Sequence, residues 1–238
     1  MCTLEKRGNI FFLTLTGDDE HRLSPKLIEQ IRSALSQVRT ESTRGTALVT
    51  TGEGKFFSNG FDLAWARASG ESVFMERLKH MVSLFQPLIA DLISLPMPTI
   101  AAVSGHAAAA GFMLALSHDY VMMRRDRGVI YMSELDIGLT FPDYFMVLMR
   151  SKIASPIARR NVVSKAARMK ADEAVEMGMI DSAHDSAEET VKAAVHLAEQ
   201  LIQRKWDGEV YADIRKASFP ELSELFGLSY KAKAPSKL

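Results

Sequence analysis

Hydrophobic positions in the first part of the chain alternate between strand-like runs and helix-like stripes. Residues 9–16, rich in aromatic and β-branched side chains, predict a strand, and residues 47–51 predict another. Between them, Ser24 followed by Pro25 has the pattern of a helix N-cap and a first helical residue. Apolar residues then recur at helical spacing over residues 27–38, which predicts an amphipathic helix.

The alternation continues through the middle of the chain and then stops. An apolar stripe over residues 74–92 predicts a long helix that Pro87 bends. The same patterns predict strands at residues 99–103, 120–123 and 129–132, with a short helix between the first two. After about residue 150 the pattern predicts only helices, one of them beginning at the capping box Ser186-x-x-Glu189. We therefore expect an α/β core over residues 1–150, a helical region over 151–230 and a tail at 231–238.

Composition narrows the class of protein. The chain has 238 residues, enough for one large domain, and its 47% hydrophobic content excludes disorder over most of its length. The 29 basic and 29 acidic residues balance, which argues against a mainly electrostatic nucleic-acid or membrane partner. A single cysteine, Cys2, excludes an intrachain disulfide and a thiolate zinc cluster. Since no histidine has a second ligand at metal-binding spacing, we expect no metal site.

The two ends of the chain bear on localisation. Residues 1–8 lack the apolar segment of a secretory signal, and no apolar run approaches the roughly 18 residues of a membrane span. The sequence closes on Ser236-Lys237-Leu238, a tripeptide that serves as a peroxisomal address. We therefore expect a peroxisomal location and an import receptor as a partner.

Two loops of small residues are the candidates for chemistry. The first, residues 52–62, contains a central glycine and ends on an acidic residue, and the second, residues 105–111, leads into a helix. Backbone amides at a helix start donate well to a developing negative charge, so the second loop predicts half of an oxyanion site. The first loop is a candidate for the other half. The alternative is that the small residues only permit tight packing, and neither loop matches a dinucleotide or phosphate-loop motif.

Together the two loops resemble the crotonase family, also called the enoyl-CoA hydratase/isomerase superfamily. Residues 57–63 match its motif F-S-x-G-x-D-[LI], and residues 102–111 match A-x-x-G-x-x-x-x-x-G, followed by His118-Asp119-Tyr120. Residues 133–139 and 171–181 are similar to two later segments of the family. The resemblance implies a crotonase-like α/β spiral of ββα turns with a helical C-terminal region. It further implies an acyl-CoA thioester substrate, no separate cofactor, and assembly as a homotrimer or hexamer.

The resemblance also assigns an oxyanion hole. Family members hold an enolate-like oxyanion with two backbone amides, which correspond to those of Phe61 and Ala110. The family pattern lays coenzyme A along the first loop, with Lys55 as a candidate for a phosphate contact. The implied coenzyme A contacts are Asn59, Gly60, Phe61, Asp62 and Leu63.

The acid/base positions distinguish activities within the family. Hydratases use two glutamates, and the corresponding positions here are Met113 and Glu134. A thioether cannot accept a proton at working pH, so a single glutamate favours an isomerase. One carboxylate over both carbons can remove a proton from C2 and deliver one to C4, and we expect Phe112, Met113 and Phe141 to make its surroundings apolar. Burial of that kind raises a carboxyl pKa, which suits a proton shuttle.

Other carboxylates and other activities remain open at this point. Asp143 is the reserve candidate for the acid/base, although it also fits an N-cap for a helix starting at Tyr144. Asp136 is expected to be structural. The favoured hypothesis is a peroxisomal Δ3,Δ2-enoyl-CoA isomerase acting in β-oxidation of unsaturated fatty acids. The alternatives are a hydratase or acyl-CoA hydrolase of the same family and a catalytically inactive acyl-CoA-binding module.

Overall fold

The computed structural model describes residues 1–231 and contains ten strands and eleven helices within them. The strands are β1 (Cys2–Arg7), β2 (Ile10–Leu15), β3 (Ala47–Gly52), β4 (Phe56–Ser58), β5 (Thr99–Val103), β6 (His106–Ala108), β7 (Tyr120–Arg124), β8 (Val129–Tyr131), β9 (Met169–Lys170) and β10 (Ser182–His184). The helices are α1 (Pro25–Thr40), α2 (Leu63–Arg67), α3 (Glu71–Ile93), α4 (Ala110–Leu116), α5 (Glu134–Ile137), α6 (Asp143–Lys152), α7 (Pro156–Lys165), α8 (Ala171–Glu176), α9 (Ala187–Ile202), α10 (Gly208–Ser218) and α11 (Pro220–Leu225).

The ten strands form two sheets, and successive strands in the middle of the chain alternate between them. The larger sheet has the order β1-β2-β3-β5-β7-β10, and the smaller has the order β4-β6-β8-β9. All neighbouring strands are parallel except the pairs β1–β2 and β8–β9. Strands β3 and β4, then β5 and β6, then β7 and β8 each contribute one strand to either sheet before a helix follows. Repetition of this unit winds the chain into a spiral, which confirms the predicted α/β spiral of ββα turns.

The larger sheet is buried on both faces. In β2, Phe11 and Leu13 pack into the main core with α1 and α3, whereas Ile10 and Phe12 face the opposite side. On that side helix α9 covers the sheet through Ala194 and its neighbours. Because both faces are covered, β3 and β5 are buried along their whole length, as is usual for parallel strands with helices on either side.

The capping residues predicted from sequence are confirmed. The Ser24 side chain accepts a hydrogen bond from the Leu27 amide at 3.3 Å, and the Ser186 side chain accepts one from Glu189 at 3.1 Å. These bonds satisfy amides that have no partner inside their own helices. Helix α3 continues through Pro87, as expected from the unbroken apolar stripe on either side of it.

Five strands were not predicted from the sequence. Strand β1 is largely exposed and mostly polar, so it carries little hydrophobic signal. Strands β4 and β6 lie inside the segments expected to be loops, and β9 and β10 lie in the region expected to be only helical. Runs of two or three residues are too short to show alternation. The division at residue 150 stays a prediction, although β10 pairs with β7 and so extends the larger sheet.

Helix α10 is fastened to the core by a buried ion pair. The Arg215 guanidinium donates to both carboxylate oxygens of Asp119, at 2.6 and 2.5 Å, and to the Leu95 carbonyl at 2.8 Å. Arg215 is only 6% exposed, so the charge is compensated inside the protein rather than by water. Within residues 1–231 no helix is both long and apolar enough to cross a membrane. The predicted import tripeptide, Ser236-Lys237-Leu238, lies outside the described residues.

Candidate active site

Three neighbouring strands of the smaller sheet end at one edge. Strand β4 ends three residues before Phe61, β6 ends two residues before Ala110, and β8 ends three residues before Glu134. Because β4, β6 and β8 are parallel neighbours, their carboxyl ends point the same way. Ligands of parallel sheets bind beyond this end of the strands. The structure therefore brings the three residues predicted to be catalytic to the same edge of one sheet.

The first and second loops touch at this edge. Gly60 has φ of +73°, and a Cβ placed on it would lie 3.0 Å from the Ala108 oxygen and 3.4 Å from the Ala110 nitrogen. A Cβ on Gly111 would overlap the Ser58 carbonyl. The two glycines thus permit backbone-to-backbone contact that other residues would prevent. The contact holds the segment carrying the Phe61 amide against the Ala110 amide.

The amides of Phe61 and Ala110 are the candidate donors to an oxyanion. On one side of Phe61, the Gly60 carbonyl accepts a hydrogen bond from the Leu23 amide at 2.8 Å. On the other side, the Asp62 amide donates to the Leu23 carbonyl at 3.4 Å. Neither Phe61 nor Ala110 donates its own N–H to any acceptor within residues 1–231. Ala110 is the first residue of α4, where amides point away from the helix. Two unpaired donors on adjoining backbones are the arrangement needed to hold an oxyanion.

The backbone is strained immediately before Ala110. Ala109 adopts φ of +48° and ψ of −123°, a region that residues other than glycine rarely occupy. Its N–H donates to the Tyr131 carbonyl at 2.9 Å, and its own carbonyl accepts from Met113 at 3.0 Å. These two bonds hold the peptide that carries the Ala110 amide in one orientation.

Glu134 is the buried acid of the site. It begins α5, is 8% exposed and lines a cavity of about 250 Å³. Phe61 lines the same cavity, together with apolar side chains of α3 and of residues 139–145. Glu134 Oε2 is buried and has no hydrogen-bond partner among the described residues. Glu134 therefore borders a mostly apolar cavity, with Lys79 and Thr140 among its lining residues. Phe61, which also lines this cavity, belongs to residues 59–62, here called the oxyanion loop.

Burial shifts the protonation of this carboxyl group. The pKa of Glu134 rises from its usual 4.5 to about 7 because burial disfavours the charged form, an effect that hydrogen bonds from backbone amides offset only in part. A carboxyl group with a pKa near 7 can both take up and release a proton at neutral pH. Glu134 is thus suited to act as base and then as acid within one reaction.

The other residues expected around this glutamate divide into two groups. Phe141 lines the cavity, whereas Phe112 and Met113 are fully buried in the main core and are not among the cavity-lining residues. Asp143 is exposed, is the first residue of α6 rather than its N-cap, and does not line the cavity. The predicted N-cap role for Asp143 is wrong, because Pro142 occupies that position.

Side chains of the predicted coenzyme A loop are engaged within the protein. The side-chain amide of Asn59 donates to the Glu20 carboxylate at 3.3 Å. The Asp62 carboxylate caps α2 by accepting from the Trp65 backbone amide at 2.9 Å. Leu63 is the first residue of α2. These contacts fix the loop and leave its backbone as the surface offered to a ligand.

A polar cavity beside Asp62 was not found by sequence reasoning. It has a volume of about 260 Å³ and lies between the loop before α1 and α1 itself. Its lining combines the cations Arg22 and Lys26 with the carboxylates of Asp18, Glu20 and Asp62, and Arg22 pairs with Glu20 at 2.5 Å. A mixed group of charged residues of this kind carries no sequence signal. The predicted phosphate contact Lys55, by contrast, precedes β4 and so lies at the opposite end of that strand from Phe61.

The histidines near the loops serve packing. His118 is fully buried, with Nε2 2.8 Å from the Thr50 hydroxyl and Nδ1 3.0 Å from the Leu114 carbonyl. Burial lowers its pKa to about 4, so it is neutral. His106 packs edge-on against Phe56. In the part of the chain that the structure describes, no three His, Cys, Asp or Glu side chains are grouped as metal ligands.

Comparison with known proteins identifies the family. The family model described as enoyl-CoA hydratase/isomerase matches residues 5–217. Enoyl-CoA delta isomerase 3 of Arabidopsis thaliana is 57% identical over 230 residues, or 96% of each chain, and the plant's peroxisomal enoyl-CoA delta isomerase 2 is 56% identical over 240 residues and all of each chain. A crystal structure of a probable enoyl-CoA hydratase from Mycobacterium tuberculosis has a TM-score of 0.84 at 23% identity, covering 95% of this chain and 91% of that one. The chain belongs to the enoyl-CoA hydratase/isomerase family, as its motifs predicted.

Proposed function

We propose that the protein is a Δ3,Δ2-enoyl-CoA isomerase, which moves the double bond of a 3-enoyl-CoA to the trans-2 position. The observation that carries this proposal is the single buried carboxyl group of Glu134 in a cavity shared with the oxyanion loop. By the family resemblance, Met113 stands where a hydratase has the first of its two glutamates and Glu134 matches the second, so this chain carries one of the pair that activates water. The names of the two Arabidopsis relatives agree with an isomerase.

In the proposed mechanism one carboxyl group handles both protons. Ionised Glu134 removes a proton from C2 of the substrate, and the electron pair left on C2 delocalises onto the thioester oxygen through C1 and onto C4 through the C3–C4 double bond. The Phe61 and Ala110 amides donate to that oxygen and stabilise the dienolate. Protonated Glu134 then delivers a proton to C4, which leaves the double bond between C2 and C3. No water molecule is consumed, and the carboxylate is regenerated.

In the proposed complex, the acyl chain lies at the cavity beside Glu134 and the coenzyme A moiety at the polar cavity beside Asp62. The acyl chain enters the cavity beside Glu134, whose walls are the apolar side chains of α3 and of residues 139–145. Coenzyme A runs along residues 59–63, beside the polar cavity, where Lys26 is the candidate phosphate contact. The backbone of the loop between these cavities carries the Phe61 amide, so the thioester lies at the junction.

The proposal extends to location and assembly. The name of the peroxisomal Arabidopsis relative supports a peroxisomal location, with Ser236-Lys237-Leu238 recognised by an import receptor and the activity serving β-oxidation of unsaturated fatty acids. Fluorescent fusions with and without the tripeptide test the address, since loss of punctate localisation on deletion is expected. Membership of the family supports a homotrimer or hexamer, which light scattering tests.

Turnover of trans-3-enoyl-CoA by the purified protein tests the activity. Conversion is followed by the ultraviolet absorbance of the conjugated 2-enoyl thioester, and hydration of a 2-enoyl-CoA and release of free thiol are measured in parallel. Isomerisation much faster than hydration or hydrolysis is expected. Hydration or hydrolysis as the faster reaction, or tight acyl-CoA binding without turnover, would contradict the proposal.

A further inference from the structure

The loop between β2 and α1 runs along the outer edge of β4. Strand β4 is the edge strand of the smaller sheet, so only β6 pairs with it inside the sheet. On its other side, residues 18–24 supply partners for its backbone and for the loop after it. We call residues 18–24 the bracing loop. Unpaired groups along a buried edge would otherwise be costly.

Backbone hydrogen bonds join the bracing loop to β4 and the oxyanion loop. The Phe56 amide donates to the Asp19 carbonyl at 3.0 Å, and the Asn59 amide donates to the Glu20 carbonyl at 2.8 Å. Further on, the Leu23 amide donates to the Gly60 carbonyl at 2.8 Å. The contact therefore extends from the start of β4 to the residue immediately before Phe61.

His21 sits in the middle of the bracing loop and bonds to all of β4. Its Nδ1 lies 2.9 Å from the Phe56 carbonyl and 3.2 Å from the Phe57 carbonyl. Because both neighbours are acceptors, Nδ1 carries the proton. The Ser58 hydroxyl donates to the His21 carbonyl at 2.8 Å. His21 is 1% exposed and has φ of +45°, so the fold maintains an uncommon backbone conformation to place this ring.

We propose that His21 is a positioning residue for the oxyanion hole. Its ring and its carbonyl fix β4, and β4 sets the place of the Phe61 amide three residues beyond its end. His21 does not line the cavity that holds Glu134, so it acts through the loop and not on the substrate. The inference rests on the proposed function, because the property that His21 improves is stabilisation of the dienolate.

Variants of His21 separate positioning from simple packing. His21→Leu keeps an apolar side chain of moderate size but loses the donor to Phe56. His21→Asn is the conservative rescue, since its side-chain N–H can take the place of Nδ1–H and asparagine tolerates positive φ. Lys205→Leu is the matched control, because Lys205 is exposed and also has positive φ, +48°, in the turn after α9. Ser58→Ala removes the hydrogen bond from the Ser58 hydroxyl to the His21 carbonyl with little change of shape.

Steady-state kinetics on trans-3-enoyl-CoA give the first readout. We expect His21→Leu to lower kcat about 10- to 100-fold with KM within about threefold, since a small misplacement of a catalytic group costs about that much. We expect His21→Asn and Lys205→Leu to stay within about threefold of wild type, and Ser58→Ala to lower kcat in the same direction as His21→Leu. A wild-type kcat in a folded His21→Leu, or a loss that asparagine does not restore, would overturn the inference.

Hydrogen exchange of the substrate-free protein gives a second, independent readout. Amides of residues 56–62 should exchange faster in His21→Leu than in wild type, while those of β3 stay unchanged. Unchanged exchange over residues 56–62 would overturn the inference whatever the enzyme does. Absence of isomerase turnover in the wild type would instead remove the proposed function and leave the exchange result to decide on positioning. If His21→Leu does not fold, Ser58→Ala serves for both readouts.

Discussion

Gly60 and Ala110 meet across the two loops of the candidate site. A Cβ atom on Gly60 would lie 3.4 Å from the Ala110 nitrogen and 3.1 Å from the Ala109 Cβ. The two amides proposed to hold the oxyanion are therefore fixed relative to each other by backbone packing. Such a close backbone contact needs small residues at the point where the loops meet, which fits the alanines and glycines of the second loop.

Gly60→Ala is expected to damage both stability and activity. The left-handed backbone alone costs about 1–2 kcal/mol for a residue with a Cβ, and crowding against Ala108 and Ala110 adds to it. Gly227→Ala is the control, because Gly227 has φ of +64° but open space around it. Urea unfolding should show a larger loss for Gly60→Ala, and initial rates should fall at least tenfold in that variant alone. Equal losses and full activity in both variants would contradict the packing argument.

Ala109→Gly is expected to stabilise the protein. Strain at φ of +48° and ψ of −123° is worth about 1–3 kcal/mol, and glycine would relieve it while adding less than that in unfolded-chain entropy. The free energy of unfolding, measured by denaturant titration, should rise by about 1 kcal/mol. A destabilised variant would show that Ala109 is not strained.

Arg215→Met is expected to destabilise the protein by about 3–5 kcal/mol, because it leaves the Asp119 carboxylate buried without its partner. Arg44→Met is the control. It removes a pair of similar length, 2.7 Å to Asp207, in which the arginine side chain is 69% exposed, and such pairs contribute at most about 1 kcal/mol. Equal effects of the two substitutions on the free energy of unfolding would refute the anchoring role of Arg215.

The raised pKa of Glu134 makes stability depend on pH in a known direction. The folded protein retains the Glu134 proton up to about pH 7, whereas the unfolded chain releases it near pH 4.5. The contribution of Glu134 to the free energy of unfolding is therefore lost as the pH rises through that window. Glu134→Gln removes the effect. Relative to wild type, the free energy of unfolding of the variant should rise by on the order of 3 kcal/mol between about pH 4.5 and pH 7. Parallel pH profiles of the two unfolding free energies would contradict the shift.

The predicted site residues lie in short motifs just beyond the ends of strands. Phe61, Ala110 and Glu134 were each placed by a short pattern, and the structure brings them to one sheet edge. The strands that put them there, β4, β6 and β8, are only three residues long, and β4 and β6 were read as loops. Periodicity needs more residues than that to distinguish a strand from a turn.

Features that depend on packing could not be read from the sequence. All seven residues of α4 are buried, so periodicity could not show that Phe112 and Met113 turn into the core and away from the Glu134 cavity. His21 stands among polar residues with no motif around it, and its role follows only from the adjacency of the bracing loop and β4.

Glutamine at position 134 tests the central claim most directly. Glu134→Gln keeps the size of the side chain but cannot accept a proton, and Asp143→Asn is the matched control at the exposed start of α6. Initial rates on saturating trans-3-enoyl-CoA should fall about 10²- to 10⁴-fold in Glu134→Gln and stay within about threefold of wild type in Asp143→Asn. Near-full activity of Glu134→Gln, or a comparable loss in Asp143→Asn, would contradict the single-carboxylate mechanism.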